Sequence, residues 1–412
     1  MNQKNKQNTH IFYIIFLIIF SILFNQYYGY VGILPIDSFL VFNSAYDLMN
    51  GYYPFKDYWT IKEPFIDLVQ AIFFKLLGVS WFSYVLHASI FNCIITLSTF
   101  FLLKKFFLSA NLSFFYSISV AILTYPTVGT PFSDHHTLIL CLLSFYSLIL
   151  ALHEKNNFYW FAVPILLGFS FMSKQAPTVY IVFLISFLSL IYFVKQKNIS
   201  NFISAITGFF FIIIFLFLLL FLADVNFKDF LYQYYFYPKS LGGTRLEWLF
   251  PFEFQRIIWR YKLQYLSIAI LIYLFVKSIL KGKKIEFSDY LIISGLIIFC
   301  LITIMHQLMT INAIFIYCLI PVFCGFSHIY VQKYLNKKKI LNSFLITLTL
   351  CSTIYYYVNY IQNRTFMDLR DVDFENSIDG NLIHPKFSKI KWITMFYPDD
   401  PQKEANYIKE SF

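Results

Sequence analysis

The sequence predicts an all-α polytopic membrane protein, and three observations support that fold class. Of its 412 residues, 58% are hydrophobic and only 13% are charged, whereas soluble domains are about 45–50% apolar and about 25% charged. Uninterrupted apolar runs of about 20 residues, the length of a transmembrane helix, recur along the chain. The short alternating segments of a transmembrane barrel are not seen. The composition also excludes disordered chains, collagen and small disulfide scaffolds.

Eleven transmembrane helices are predicted when each apolar run is read between its polar breaks. The first run lacks a small-residue cleavage site, which favours a retained span over a signal peptide. The runs at 112–129 and 157–172 lie near or below the usual minimum of about 17 residues. The predicted spans are 10–26, 80–103, 112–129, 135–152, 157–172, 177–194, 200–223, 263–280, 287–305, 309–330 and 340–359.

The charge distribution predicts the orientation of these spans. With the N-terminus inside, the short inner segments hold 15 lysines against three acidic residues, and the outer segments hold 17 basic against 19 acidic residues. An excess of Lys and Arg in short loops marks the cytoplasmic side. We therefore predict a multi-pass protein of the bacterial inner membrane, with a cytoplasmic N-terminus and a periplasmic C-terminus. The net charge of +10 follows from this pattern, and we predict no nucleic-acid partner. Membrane lipids are the expected surroundings.

The long polar segments of the sequence are concentrated on the predicted outer side, at 27–79, 224–262 and 360–412. Function is expected where polar loops are long. We predict one membrane domain over 1–359 and an outer C-terminal tail over 360–412. The six cysteines lie inside apolar runs, so the sequence indicates neither a disulfide framework nor a cysteine metal cluster.

The first outer loop is predicted to contain two helices. Residues 38–50 form the first, which Asn50-Gly51 terminates. Pro64 opens a second helix that ends at Gly78. At about 21 Å it is too short to span a membrane, so we expect it to lie in the interface.

At this loop the residues resemble a known family. An Asp after the first span, "AYDLMNG", "YPFKDYW", "KEP" and "FFKLLG" are similar to the GT-C superfamily of membrane glycosyltransferases. The similarity is to the family 39 branch, the protein-mannosyltransferase-like and aminoarabinose-transferase-like enzymes of bacteria. It is strongest over 30–180. The resemblance implies a GT-C-like bundle, a polyprenyl-phosphate sugar donor, a catalytic carboxylate at Asp37 and a donor-phosphate contact at Lys62. The chain has Asp37-Ser38 where many members have Asp-Glu, and Glu63-Pro64 where they have Pro-Pro.

The chemistry of sugar transfer agrees with that assignment. A base must take the acceptor proton, and cations or a metal must hold the departing phosphate. Asp37 lies at the outer end of the first span, where acceptor and lipid head group can meet. Alternatively, Asp37 caps the following helix. Asp57 and Glu63 are secondary carboxylates, or ordinary loop polarity.

A second polar group opens the fourth span at Asp134, His135 and His136. Asp and His together at a membrane boundary can bind a divalent cation or orient a phosphate. Capping of the helix by Ser133 or Asp134 is the alternative.

Further cations lie on the same side. After the fifth span, "FMSKQAP" also resembles a segment of the bacterial family members, which implies that Lys174 and Gln175 line the donor site; a snorkelling lysine is the alternative. Arg256 and Arg260 share a helical face outside the eighth span, and Arg suits phosphate, although membrane-surface anchoring explains them equally well. His306 is polar where apolar residues cost less, which indicates function.

Two other functions remain as alternatives. A transporter would place ionisable groups near the middle of its spans, but no Asp, Glu, Lys or Arg occupies such a position here. A polymerase or ligase of surface polysaccharide would share the lipid-linked donor and the large outer loop. The sugar is not specified by the sequence, and the acceptor can be a glycan, a lipid or a protein.

Overall fold

The computed structural model describes residues 3–31, 35–154, 156–247, 249–250, 252–281, 285–335, 338–362, 375, 377–392, 397 and 400–411. This part of the chain is almost entirely helical. Its helices are α1 Gln3–Gly29, α2 Pro35–Met49, α3 Pro64–Leu77, α4 Trp81–Lys105, α5 Ala110–Leu123, α6 Ser133–Glu154, α7 Asn157–Ser173, α8 Gln175–Gln196, α9 Ile199–Leu222, α10 Phe227–Leu231, α11 Tyr237–Glu247, α12 Lys262–Lys281, α13 Phe287–Met309, α14 Leu319–Tyr334, α15 Lys338–Tyr356 and α16 Pro401–Ser411. Strands β1 Ile378–Asp379 and β2 Lys391–Trp392 pair antiparallel.

All eleven predicted spans correspond to helices. Among the described residues, nine helices are long and apolar enough to cross a membrane. The other two, α5 with 14 residues and α7 with 17, lie at the two runs that are short in the sequence. Lys105 at the end of α4 pairs with Glu154 at the end of α6, with Nζ and Oε1 2.7 Å apart. Since α4 and α6 therefore end together, α5 must return the chain to the opposite end of the bundle.

The two ends of the bundle match the two sets of loops that the charges predict. At one end Trp81 Nε1 donates to the Gly29 carbonyl at 2.9 Å, which joins the start of the predicted outer segment 27–79 to the start of the span that follows it. At the other end Lys333 pairs with Glu286 at 3.0 Å and with Asp289 at 2.7 Å, which joins two predicted inner segments. These contacts fit the predicted alternation of the spans. Which end faces the cytoplasm stays a prediction.

Helix α14 lies at the centre of the bundle, because its apolar stretch is entirely buried, whereas α1 and α9 lie at the periphery. Polar side chains join neighbouring helices inside the bundle, as is common in membranes. Ser144 Oγ donates to the Val163 carbonyl at 2.9 Å, and Ser170 Oγ donates to the Thr137 carbonyl at 3.0 Å. All six cysteines are free.

The two helices predicted in the first outer loop are present as α2 and α3. Left-handed glycines follow both, with φ of +89° at Gly51 and +82° at Gly78, a conformation that glycine adopts without strain. Helix α2 begins at Pro35, so Asp37 lies in the first turn and not at the N-cap that precedes it. The capping alternative was therefore wrong in that form. The side chain of Asp37 lies outside the described part of the structure.

Candidate functional site

A buried ion pair joins two of the predicted site residues at the predicted outer end of the bundle. Lys174 Nζ lies 2.6 Å from Asp134 Oδ2, and the two side chains are only 15% and 7% exposed. Lys174 occupies the tight junction between α7 and α8 in an extended conformation, which directs its side chain back to the start of α6. The snorkelling alternative was wrong, because the ammonium contacts a carboxylate inside the protein.

Burial lowers the pKa of the Lys174 ammonium, and the nearby charges of Lys62 and Arg245 lower it further, while Asp134 opposes them. Lys62 and Arg245 therefore lie near the Lys174 ammonium, and Lys62 also lies near the Asp134 carboxylate. Arg245, on α11, was not among the predicted site residues. Its place after Gly242-Gly243 in the second outer loop was the only signal in the sequence.

Lys62 is brought to this cluster by an unusual backbone. Glu63 has φ of +77°, a left-handed conformation that costs a non-glycine residue about 1–2 kcal/mol. The surroundings hold it there: its amide donates to the Ser173 carbonyl at 3.2 Å, directly beside Lys174. Glu63 Oε1 also lies 3.0 Å from Lys62 Nζ. Lys62 and Glu63 therefore belong to the same outer site as Lys174.

Gln175 joins the two large outer loops. Its Nε2 donates to the Ile61 carbonyl at 2.8 Å and to the Tyr234 carbonyl at 2.9 Å. Nearby, the Thr60 amide donates to Gln233 Oε1 at 3.1 Å. The predicted donor-site residue thus fixes the position of the segment that carries Lys62.

His306 lies buried at the end of α13 and lines a narrow cavity together with Asp134 and Gln307. One polar atom of each side chain has no hydrogen-bond partner among the described residues: Asp134 Oδ1, His306 Nε2 and Gln307 Oε1. Buried polar atoms are normally hydrogen-bonded. The cluster therefore retains both donor and acceptor capacity beside Lys174, which suits recognition of a polar group.

The predicted Asp134–His135–His136 group does not converge on one point. Asp134 pairs with Lys174, whereas His135 Nε2 lies 2.9 Å from Thr127 Oγ1. His136 Nε2 lies 2.9 Å from His87 Nε2. Within the described ranges, no group of three or more His, Cys, Asp and Glu side chains is arranged to hold a metal ion. The geometry of the described residues gives the divalent-cation hypothesis no support.

A polar chain explains the orientation of His136. Tyr125 OH contacts His136 Nδ1, His136 contacts His87, and His87 Nδ1 donates to Gln70 Oε1 at 2.9 Å. These side chains connect α6 and α4 to α3. They hold α3, and with it the Lys62–Glu63 segment, against the bundle.

Asp67 is a functional candidate that sequence reasoning missed. It is 1% exposed, and within the described part of the chain neither of its oxygens has a hydrogen-bond partner. Burial raises the pKa of Asp67 well above its usual value, Glu63 raises it further, and Lys62 opposes them. The carbonyl of Glu63, at the N-cap of α3, accepts from the Asp67 amide at 3.0 Å, and the spacing of four residues between the two carboxylates is the signal that could have found Asp67.

The other predicted residues lie outside this cluster. Arg256 Nη2 donates to the Leu308 carbonyl at 3.2 Å and Arg260 Nη2 to the Ile311 carbonyl at 3.4 Å. Both therefore interact with backbone carbonyls at the end of α13, where cations are favoured. Their donor-phosphate role stays a prediction. Asp57 is exposed and accepts from the Tyr53 amide at 2.7 Å, which fits ordinary loop polarity.

A comparison with family models matches part of the chain. Residues 62–221 match a family model described as dolichyl-phosphate-mannose-protein mannosyltransferase. The matched stretch begins at Lys62 and includes Asp134, Lys174 and Gln175, whereas Asp37 precedes it. A comparison with curated proteins finds no match.

Proposed function

We propose that this chain, a membrane glycosyltransferase of the GT-C type, transfers a sugar from a polyprenyl-phosphate donor to an acceptor at the outer face of the bacterial inner membrane. The single observation that carries the proposal is the buried Lys174–Asp134 pair with the Lys62–Glu63 segment beside it, at one end of the bundle. The donor class is supported by the dolichyl-phosphate-mannose description of the matching family.

The cations have a defined task in this reaction. The bond between the anomeric carbon and the phosphate oxygen breaks, and both electrons leave with the phosphate. Fixed positive charge beside the leaving group stabilises it in the transition state. Lys62 is one-third exposed and is the proposed phosphate contact, with Lys174 and Arg245 supporting it. Because Lys62 pairs with Glu63, a bound phosphate would compete with that carboxylate for the ammonium.

Asp37 is the proposed general base. The acceptor hydroxyl attacks the anomeric carbon from the side opposite the phosphate, Asp37 takes its proton, and the configuration of the sugar is inverted. Two observations support this choice. The backbone of Asp37 lies in the first turn of α2, and α2 packs with α3 and the start of α4 in one apolar cluster. The polar cluster begins at the N-terminus of the same α3.

A panel of polyprenyl-phosphate sugars tests the proposal when it is incubated with purified protein and release of polyprenyl phosphate is measured. We expect one donor to react, and Asp37→Asn to lower transfer by about 10²- to 10⁴-fold, the usual contribution of a general base, without loss of folding. Release from no donor in the panel contradicts the proposed function. Normal transfer by folded Asp37→Asn protein contradicts the assigned base only.

A further inference from the structure

The described part of the C-terminal tail is a folded unit. Strands β1 and β2 pair through Ile378–Trp392 and Asp379–Lys391. Glu404 on α16 is 1% exposed, and one of its carboxylate oxygens accepts from Trp392 Nε1 at 3.2 Å. The other accepts from the Tyr397 amide at 3.2 Å. The carboxylate therefore fixes α16 to the segment that contains β2.

This unit packs directly on α2. The ring of Phe39 lies 5.9 Å from the ring of Phe387 and 6.1 Å from that of Trp392. Ile390, 2% exposed, belongs to the same apolar cluster as Val41 on α2. Aromatic pairs at these separations contribute about 0.5–1.5 kcal/mol each beyond the area that they bury. The tail therefore makes specific apolar contacts with α2, two residues along the chain from Asp37.

Helix α2 depends on such contacts. It has 15 residues, too few to span the membrane, so its position is set by what packs against it. Its apolar side meets α3 and the start of α4, where Phe42 lies 4.8 Å from Phe74 and 5.2 Å from Tyr84. The C-terminal tail is a third element that packs against α2, in addition to α3 and α4.

We propose that the C-terminal tail positions the catalytic helix, with Phe387, Ile390 and Trp392 as positioning residues for sugar transfer. This inference rests on the proposed function, because it assigns to α2 the general base Asp37. The tail touches neither the donor nor the reacting atoms. It holds α2 at the depth and angle from which Asp37 reaches the acceptor hydroxyl, and a displacement of about 1 Å in such a group can lower the rate about 100-fold.

The test combines hydrogen–deuterium exchange with kinetics on the full chain. In the variant Phe387→Ala/Ile390→Ala, we expect faster amide exchange across 39–49 and unchanged exchange across α8. We also expect kcat to fall about 10- to 100-fold with the KM for donor within twofold, since the donor cluster is built from other elements. Phe387→Tyr keeps the ring and should restore kcat. Leu382→Ala, at an exposed position of the same unit, is the matched control and should change neither quantity.

Two results overturn the inference. Unchanged exchange across 39–49 in the double variant means that the tail does not hold α2. Faster exchange with normal kcat means that it holds α2 without positioning the reaction. Hydrogen–deuterium exchange does not depend on turnover, so it tests the contact between the tail and α2 even if no donor reacts. Failure of the proposed function is recognised separately, by the donor panel and Asp37→Asn.

Discussion

Substitution of Lys174 separates its structural role from its proposed role at the donor. Lys174 and Asp134 are 15% and 7% exposed at 2.6 Å, so they belong with buried pairs and not with exposed pairs, which contribute about 0–1 kcal/mol. Lys174→Met leaves Asp134 buried without its partner, which costs about 3–5 kcal/mol. Lys174→Met/Asp134→Leu replaces both charges by apolar groups, and such replacements are often neutral or stabilising by about 1–4 kcal/mol. We expect the double variant to recover the stability that the single variant loses.

Thermal unfolding in detergent measures the change in stability, and donor turnover measures the proposed role of Lys174 at the donor. If Lys174 helps to hold the donor phosphate, the double variant should fold normally and still lose about 10- to 150-fold in donor use, the loss of one charge-assisted contact worth about 1.5–3 kcal/mol. Lys105→Met is the control for stability. Its pair with Glu154 has a half-exposed lysine, so a change below about 1 kcal/mol is expected.

Two outcomes would refute this reasoning. A Lys174→Met protein as stable as the wild type would show that the Lys174–Asp134 pair is not buried and coupled as described. A stable double variant with unchanged KM and kcat for the donor would remove Lys174 from the donor site and leave it a purely structural residue.

Three further predictions concern the outer site and the orientation. Lys62→Ala should weaken donor use about 10- to 150-fold, whereas Glu63→Gln should lower the KM for donor, because it removes the carboxylate that pairs with the Lys62 ammonium. Steady-state kinetics check this: the two variants should change donor use in opposite directions, and changes in the same direction contradict the prediction. Because burial raises the pKa of Asp67 above 3.8, its stabilising contribution is complete below pH 3.8 and is lost as the pH rises towards the raised pKa, by about 1.4 kcal/mol per pH unit within that window. Asp67→Asn should remove this slope from the pH dependence of Tm, and an identical slope in the variant would show that Asp67 is not the cause. A reporter active only in the periplasm should work when fused after Phe412, while activity only from a cytoplasmic reporter would reverse the predicted orientation.

The helices were predictable because each is encoded locally. Each of the eleven apolar runs corresponds to a helix, nine of them long enough to cross a membrane among the described residues, and Gly51 and Gly78 correctly marked the ends of α2 and α3. The two runs that were short in the sequence became the two short helices α5 and α7. Length and hydropathy determine such elements whatever their neighbours are.

The partners inside the site were less predictable, because they depend on contacts between distant segments. Lys174 and Asp134 are 40 residues apart, and nothing in the spacing distinguishes a paired lysine from a snorkelling one. The polar face of α3 was visible in the sequence, but its burial was not, so Asp67 was overlooked. The packing of Phe387 and Trp392 on α2 joins the two ends of the chain, which local patterns cannot report.

The bridge made by Gln175 has a consequence for biogenesis. Gln175 holds Ile61 and Tyr234, and the cationic cluster needs Lys62 and Arg245 together. At a translation rate of about 5–20 residues per second, roughly ten to forty seconds separate the synthesis of those two cations. During that interval the first outer loop has already emerged from the ribosome, but its partners in the second loop have not been made. The nascent chain therefore crosses the membrane several times before it has a complete cationic cluster, and a chain interrupted before the second loop would be inserted in the membrane without one.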